Sequence, residues 1–122
     1  MMTKKDFGPV FERLREIMIP YANDLDLKKD VSGSLYIDTN HIMQNKKPLF
    51  FGAVRINKRY VSYHLMPLYV NPALLHNMSA ELQERMKGKS CLNFSENDEK
   101  LFAELTLLTR AGYEFYRQQG YV

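Results

Sequence analysis

Apolar residues recur at helical spacing near the start of the chain. Val10, Leu14, Ile17 and Met18 form one stripe and predict a helix over 7–20, with Asp6 as its cap, Pro9 early in it and Pro20 as its stop. Residues 26–39 alternate instead. Leu27, Lys29 and Val31 are expected on one face of a first strand, Ser32-Gly33-Ser34 in a turn, and Leu35 and Ile37 on a second strand. The polar run 40–48 reads as a connection.

The stretch 49-LFFGAVRINKRYVSYHLM-66 holds two β-rich runs around Asn57-Lys58, which predicts a hairpin with those two residues as its turn. That register sets Phe50, Gly52, Val54 and Ile56 opposite Leu65, Tyr63, Val61 and Arg59 on a core face. Leu49, Phe51, Ala53 and Arg55 then meet Met66, His64, Ser62 and Tyr60 on the other face.

Past Pro67, a short helical stretch is expected from Asn71-Pro72, then a helix SAELQERM capped by Ser79 and stopped at Gly88. CLNF reads as a short strand. A last helix over about 97–118 is expected behind a Ser95 or Asn97 cap, its stripe running Leu101, Leu105, Leu108, Gly112, Phe115. A glycine inside a helix costs about 1 kcal/mol against alanine, so Gly112 implies close packing on the sheet. The order of elements predicts one α+β domain over 1–122, two-layered, with helices on one face of an antiparallel sheet of about five strands. The second face must then meet solvent, a ligand or another subunit.

Composition narrows this picture. The chain has 122 residues, a net charge of +3, one cysteine and no tryptophan. That length can bury a core without staples. A lone cysteine makes no internal disulfide and fits a reducing cytoplasm. No apolar run is long enough to span a membrane, and MMTKKDFGPVFERLRE lacks the apolar centre of an export signal. Arg55, Lys58, Arg59 and Lys28-Lys29 with Tyr60 are the chemistry of a nucleic-acid surface, but so small a charge excess argues against that partner.

The run 88-GKSCLNF-94 ends like a phosphate-binding loop. Such a loop follows a strand and opens a helix, and its first glycine would fall at 83, which is Gln83. Here a helix precedes and a strand follows, so a turn into a strand is expected. Cys91 needs a nearby base to act as a nucleophile, and His41, His64 and His76 carry no local hydrolase signature. Cys91 and the histidines also lack the spacing of a soft-metal site. Ligand or interface candidates are therefore Phe51, Tyr60, His64, Met66 and Cys91, with no catalytic residue assigned.

The runs KPLFFGAVRINKRYVSYHLMPLYVNPALL, SAELQERMKGKSCLNF and LFAELTLLTRAGYEFY together resemble the YdhG-like family, a domain of unknown function, over about residues 7–120. The resemblance implies a two-layer α+β fold related to the secretion chaperone-like and YjbR-like folds. Some relatives are described as frataxin-like iron chaperones, which implies oxygen ligands along the first helix, here Glu12 and Glu16, with Asp24 and Asp26 beyond them. Arg13, Arg15, Lys28 and Lys29 interleave with these acids. The leading expectation is a non-enzymatic cytoplasmic binding module, homodimeric through the second sheet face or holding a small ligand. An iron chaperone and a small enzyme using Cys91 or His64 are the alternatives, and no other cofactor is expected.

Overall fold

A computed structural model describes residues 6–122. The first five residues, part of the stretch from which no export is expected, lie outside it. Helix α1 (Gly8–Met18) is followed by a 3₁₀ segment (Ile19–Asp24), strands β1 (Asp26–Val31), β2 (Ser34–Ile42), β3 (Pro48–Ile56) and β4 (Val61–Leu65), then the one-turn helix α2 (Pro67–Val70). A 3₁₀ turn (Pro72–Leu75), α3 (Ala80–Gln83), β5 (Cys91–Phe94) and the long α4 (Glu99–Gln118) complete the order. The strands form one antiparallel meander, β1-β2-β3-β4-β5. Helices pack against the sheet, so the α+β class expected from the pattern is the one observed.

Helix α1 buries Val10, Phe11, Leu14, Ile17 and Met18 and packs on β3, β4 and α4. Pro20 does not end the helical backbone at once, because a 3₁₀ segment tolerates it near its start. The N-cap position is Phe7, one residue after the expected Asp6, whose Oδ1 accepts from Gly8 N at 2.9 Å. On α4 the buried residue at the end of the stripe is Tyr116, with Phe115 only half-buried. The α4 cap is Asp98, whose Oδ1 accepts from Leu101 N at 3.2 Å, in place of the expected Ser95 or Asn97. Gly112 marks a close approach to α2 in place of the expected sheet: a Cβ there would stand 2.9 Å from Pro67 Cβ, with Leu65 Cδ2 of β4 further off at 3.7 Å. Thr109 Oγ1 donates to Leu105 O at 2.8 Å, which leaves it to accept from the buried Tyr63 hydroxyl at 2.6 Å and ties β4 to α4.

Ser79 caps α3, its Oγ accepting from Leu82 N at 3.1 Å. The helix itself is shorter than expected. The position three after Ser79, where a glutamate would complete a capping box, is Leu82, and α4 supplies the carboxylate instead. Glu104 accepts from Ser79 N at 2.7 Å and from Ser79 Oγ at 2.6 Å.

Three details differ from the sequence reading of the sheet. The β3–β4 turn is Lys58-Arg59, because Asn57 N donates to Tyr60 O at 2.8 Å and Val54 pairs with Tyr63. Asn57 does not adopt positive φ, and its side chain reaches Arg55 O and Ser62 Oγ instead. A slip of two residues leaves every side chain on its expected face.

The second difference does change faces. Ile37 pairs with Gly52 and the next residue, Asp38, pairs with Phe50, so Phe51 is an extra residue in β3. Phe51 turns into the core against Tyr21, Tyr113 and Tyr116, and Phe50 goes to the open face. Side chains take up backbone carbonyls around this bulge: Tyr116 Oη donates to Phe50 O and Thr39 Oγ1 to Leu49 O. Thirdly, Lys28 is extra in β1, since Leu27 pairs with Ile37 and Lys29 with Tyr36. Leu27 and Lys29 therefore point to opposite faces, not to one. Asp30 returns to the helix side, where Arg15 Nε and Nη2 donate to its carboxylate at 2.9 and 2.6 Å.

Candidate functional site: the open face of the sheet

Among the described residues the helices pack on one face, which leaves the other face of the sheet uncovered along its middle strands. Cross-strand pairing arranges that face in rows. Lys29, Tyr36, Ala53, His64 and Cys91 are successive Cα partners from β1 to β5. The adjacent row runs Val31, Ser34, Arg55, Ser62, Asn93. Ala53 is the small residue in the first row, with Tyr36 and His64 standing on the flanking strands. Over it lies a groove of about 930 Å³, lined among others by Lys29, Ser34, Tyr36, Phe50, Arg55, His64 and Met66. A second hollow of about 420 Å³ shares His64 and Met66 and reaches Tyr69, Lys87, Lys89 and Cys91.

The aromatic side chains form an arc. Tyr36 stacks on Phe50, centroids 4.7 Å apart at 25°, and His64 meets Phe50 edge-on at 5.0 Å. Burial holds the His64 imidazole below its usual 6.5, and its Nε2 is 2.7 Å from Ser90 Oγ. Burial pushes the Cys91 thiol up, and its hydrogen bond is a weak one to Asn93 Oδ1 at 3.8 Å. Burial likewise raises the Tyr36 phenol, with the charge of Asp38 adding to the shift and Lys28 opposing it.

These facts bear on chemistry. A nucleophilic thiol needs its pKa lowered, and this one is raised. His64 and Ser90 stand within hydrogen-bond reach as a base and a hydroxyl. A working pair also needs a third group to orient the base, and no carboxylate lines either hollow among the described residues. No match to a known family model, a curated protein or a solved structure was found for this chain.

The expected site residues divide. His64, Met66 and Cys91 gather on the open face. Tyr60, exposed beside the β3–β4 turn, stays outside both hollows, and Phe51 is a core residue because of the bulge. Glu16 is held by Arg13 at 2.6 Å, and Glu12 is exposed on the same helix. Asp26 pairs with Lys28 at 2.7 Å, and Asp24 accepts from the Tyr113 hydroxyl at 3.1 Å. Among the described residues no three His, Cys, Asp or Glu side chains gather as a metal site. GKSCLNF is a turn: Lys87 N donates to Cys91 O at 2.8 Å, and Gly88 takes φ +90°.

Sequence reasoning missed Phe50, Tyr36 and Ser90. Tyr36 was legible, since Leu35 and Ile37 both point inward and alternation sends the residue between them outward. Ser90 carries no local signal, because its partner is 26 positions away.

Proposed function

We propose that this chain is a binding module that works through the open face of its sheet, without bond-making chemistry of its own. The observation that carries this reading is the 930 Å³ groove, whose aromatic arc is left uncovered by the described residues. Its size falls in the range of small-molecule sites, and an uncovered apolar strip in a basic rim marks a contact surface. The raised Cys91 thiol and the unoriented His64 favour binding over catalysis. The free cysteine fits a cytoplasmic setting. Membership of the YdhG-like family is part of this proposal, supported by the quoted runs and by an element order that agrees with that fold.

A second copy of the chain is the other occupant to consider. The two hollows join through His64 and Met66 into a longer strip, as a subunit contact requires. Native mass spectrometry on gently purified protein tests both. A bound small mass or a dimer supports a binding face. A bare monomer whose groove takes up no aromatic probe refutes it.

A further inference from the structure

We propose that the groove over Ala53 is a site for a small planar aromatic anion, a deduction that rests on the open face being a binding surface. The ring half of the ligand follows from the first row. Tyr36 and His64 flank Ala53 on neighbouring strands, so their Cα atoms are about 10 Å apart across β3. The Ala53 methyl leaves the floor between them low, and the Phe50 ring, 4.7 Å from Tyr36 and 5.0 Å from His64, stands between those two, so a ligand ring packs against the Tyr36–Phe50–His64 arc over Ala53.

The anionic half follows from the second row. Arg55 lies two residues from Ala53 on β3, about 7 Å along the strand. Its Cα partners are Ser34 and Ser62, both of which line the same groove; the Ser34 hydroxyl is available to an acceptor, while Ser62 Oγ donates to Arg55 O at 3.4 Å. Lys29 stands beside Tyr36. Neither Arg55 nor Lys29 makes an ion pair among the described residues, whereas Arg13, Arg15, Lys28 and Arg117 each do. With Lys87 and Lys89 rimming the adjoining hollow, the lining of the two hollows among the described residues holds cations and no carboxylate; Asp38, the Cα partner of Phe50, is the acid next to them on the face. A charge-assisted contact to a carboxylate, sulfonate or phosphate satisfies that arrangement. A two-fold contact with a second copy brings this basic rim near itself, which is unfavourable.

The test uses the full chain and two fluorescent probes of nearly equal shape, anionic anilinonaphthalene sulfonate and neutral phenylnaphthylamine. The expected result is one-to-one sulfonate binding that weakens about tenfold in Arg55→Gln, the loss of one charged hydrogen bond. Lys29→Gln weakens it too, and the neutral probe changes little with either. Both positions are exposed, so these variants fold. Ala53→Leu raises the floor of the groove beside the aromatic arc and removes both probes, and Lys100→Gln on α4 changes neither. Sulfonate binding indifferent to Arg55 and Lys29 overturns the anion site but leaves a binding face, provided Ala53→Leu still blocks the probes. If no probe binds and light scattering shows a dimer, the anion site falls and self-association stands. If no probe binds to a monomer, both readings fall.

Discussion

Truncating each of two neighbouring phenylalanines separates the bulged sheet from a regular one. In a regular β3, Phe50 belongs to the core and Phe51 to the open face. In the bulged strand the roles are exchanged. Phe51 is fully buried, with three aromatic rings about it at 5.9 to 6.2 Å. Phe51→Ala removes its transfer energy and leaves a cavity among rings that cannot close on it, a cost of about 3–5 kcal/mol. Phe50 is half-buried on the open face. Phe50→Ala loses about half the burial of a phenylalanine and part of its contacts with Tyr36 and His64, about 1–2 kcal/mol. Urea unfolding of the two variants gives midpoints that differ by about 1 M or more at an ordinary slope for a small domain. Unchanged slopes are required for that comparison. Equal losses, or a larger loss for Phe50→Ala, would refute the bulge and with it the composition of the groove.

Other changes test the packing and the site chemistry. Gly112→Ala gains about 1 kcal/mol of helix propensity but drives a methyl against the rigid Pro67 ring, so a net loss of about 1 kcal/mol is expected in thermal unfolding. Glu104→Ala leaves Ser79 N and Oγ without their acceptor and should cost about 1–3 kcal/mol by urea titration, with the loss shared by a Ser79→Ala, Glu104→Ala double variant and not summed. Burial lowers the His64 pKa, so as pH falls the unfolded chain binds a proton before the folded one. The contribution of His64 to stability is complete above 6.5 and declines as pH falls below it, a slope that His64→Gln should remove from a series of unfolding curves. Iodoacetamide should alkylate Cys91 in the native protein more slowly than a free thiol at neutral pH, and at the free-thiol rate after unfolding.

The class of fold was legible because each long element keeps one period. The stripe of α1, the alternation Val61-Tyr63-Leu65 and the stripe of α4 all carry their burial in their spacing. What was lost is parity, and it was lost where neighbouring residues are alike. In Leu49-Phe50-Phe51 every residue is apolar, and in Lys28-Lys29 both are basic, so the pattern cannot say which residue is the extra one. Gly52 is the one local hint. A Cβ there would stand 2.5 Å from Met18 Cε and 2.8 Å from His64 O, and a lone glycine inside a strand often accompanies a bulge or a close approach.

Those two lost parities also set which residues form the groove. In a regular β1, Lys28 would stand beside Tyr36 and Lys29 would share the helix side with Leu27, so the bulge decides which of the two lysines faces the groove. In a regular β3, Phe51 would take the open face and Phe50 the core, so the bulge decides which of the two rings meets Tyr36 and His64. A bulge disrupts pairing locally and weakens the ladder, so two of them re-aiming side chains toward one hollow are more simply read as features of a site than as slack in the sheet. Removing one bulge tests its assignment. Deleting Lys28 takes out the extra residue and leaves Leu27 opposite Ile37, Lys29 opposite Tyr36 and Asp30 opposite Leu35, so the deletion should keep anionic-probe binding and the Arg15–Asp30 pair while it removes the Lys28–Asp26 pair. Loss of probe binding in that variant, with the fold retained by circular dichroism, would refute Lys28 as the extra residue.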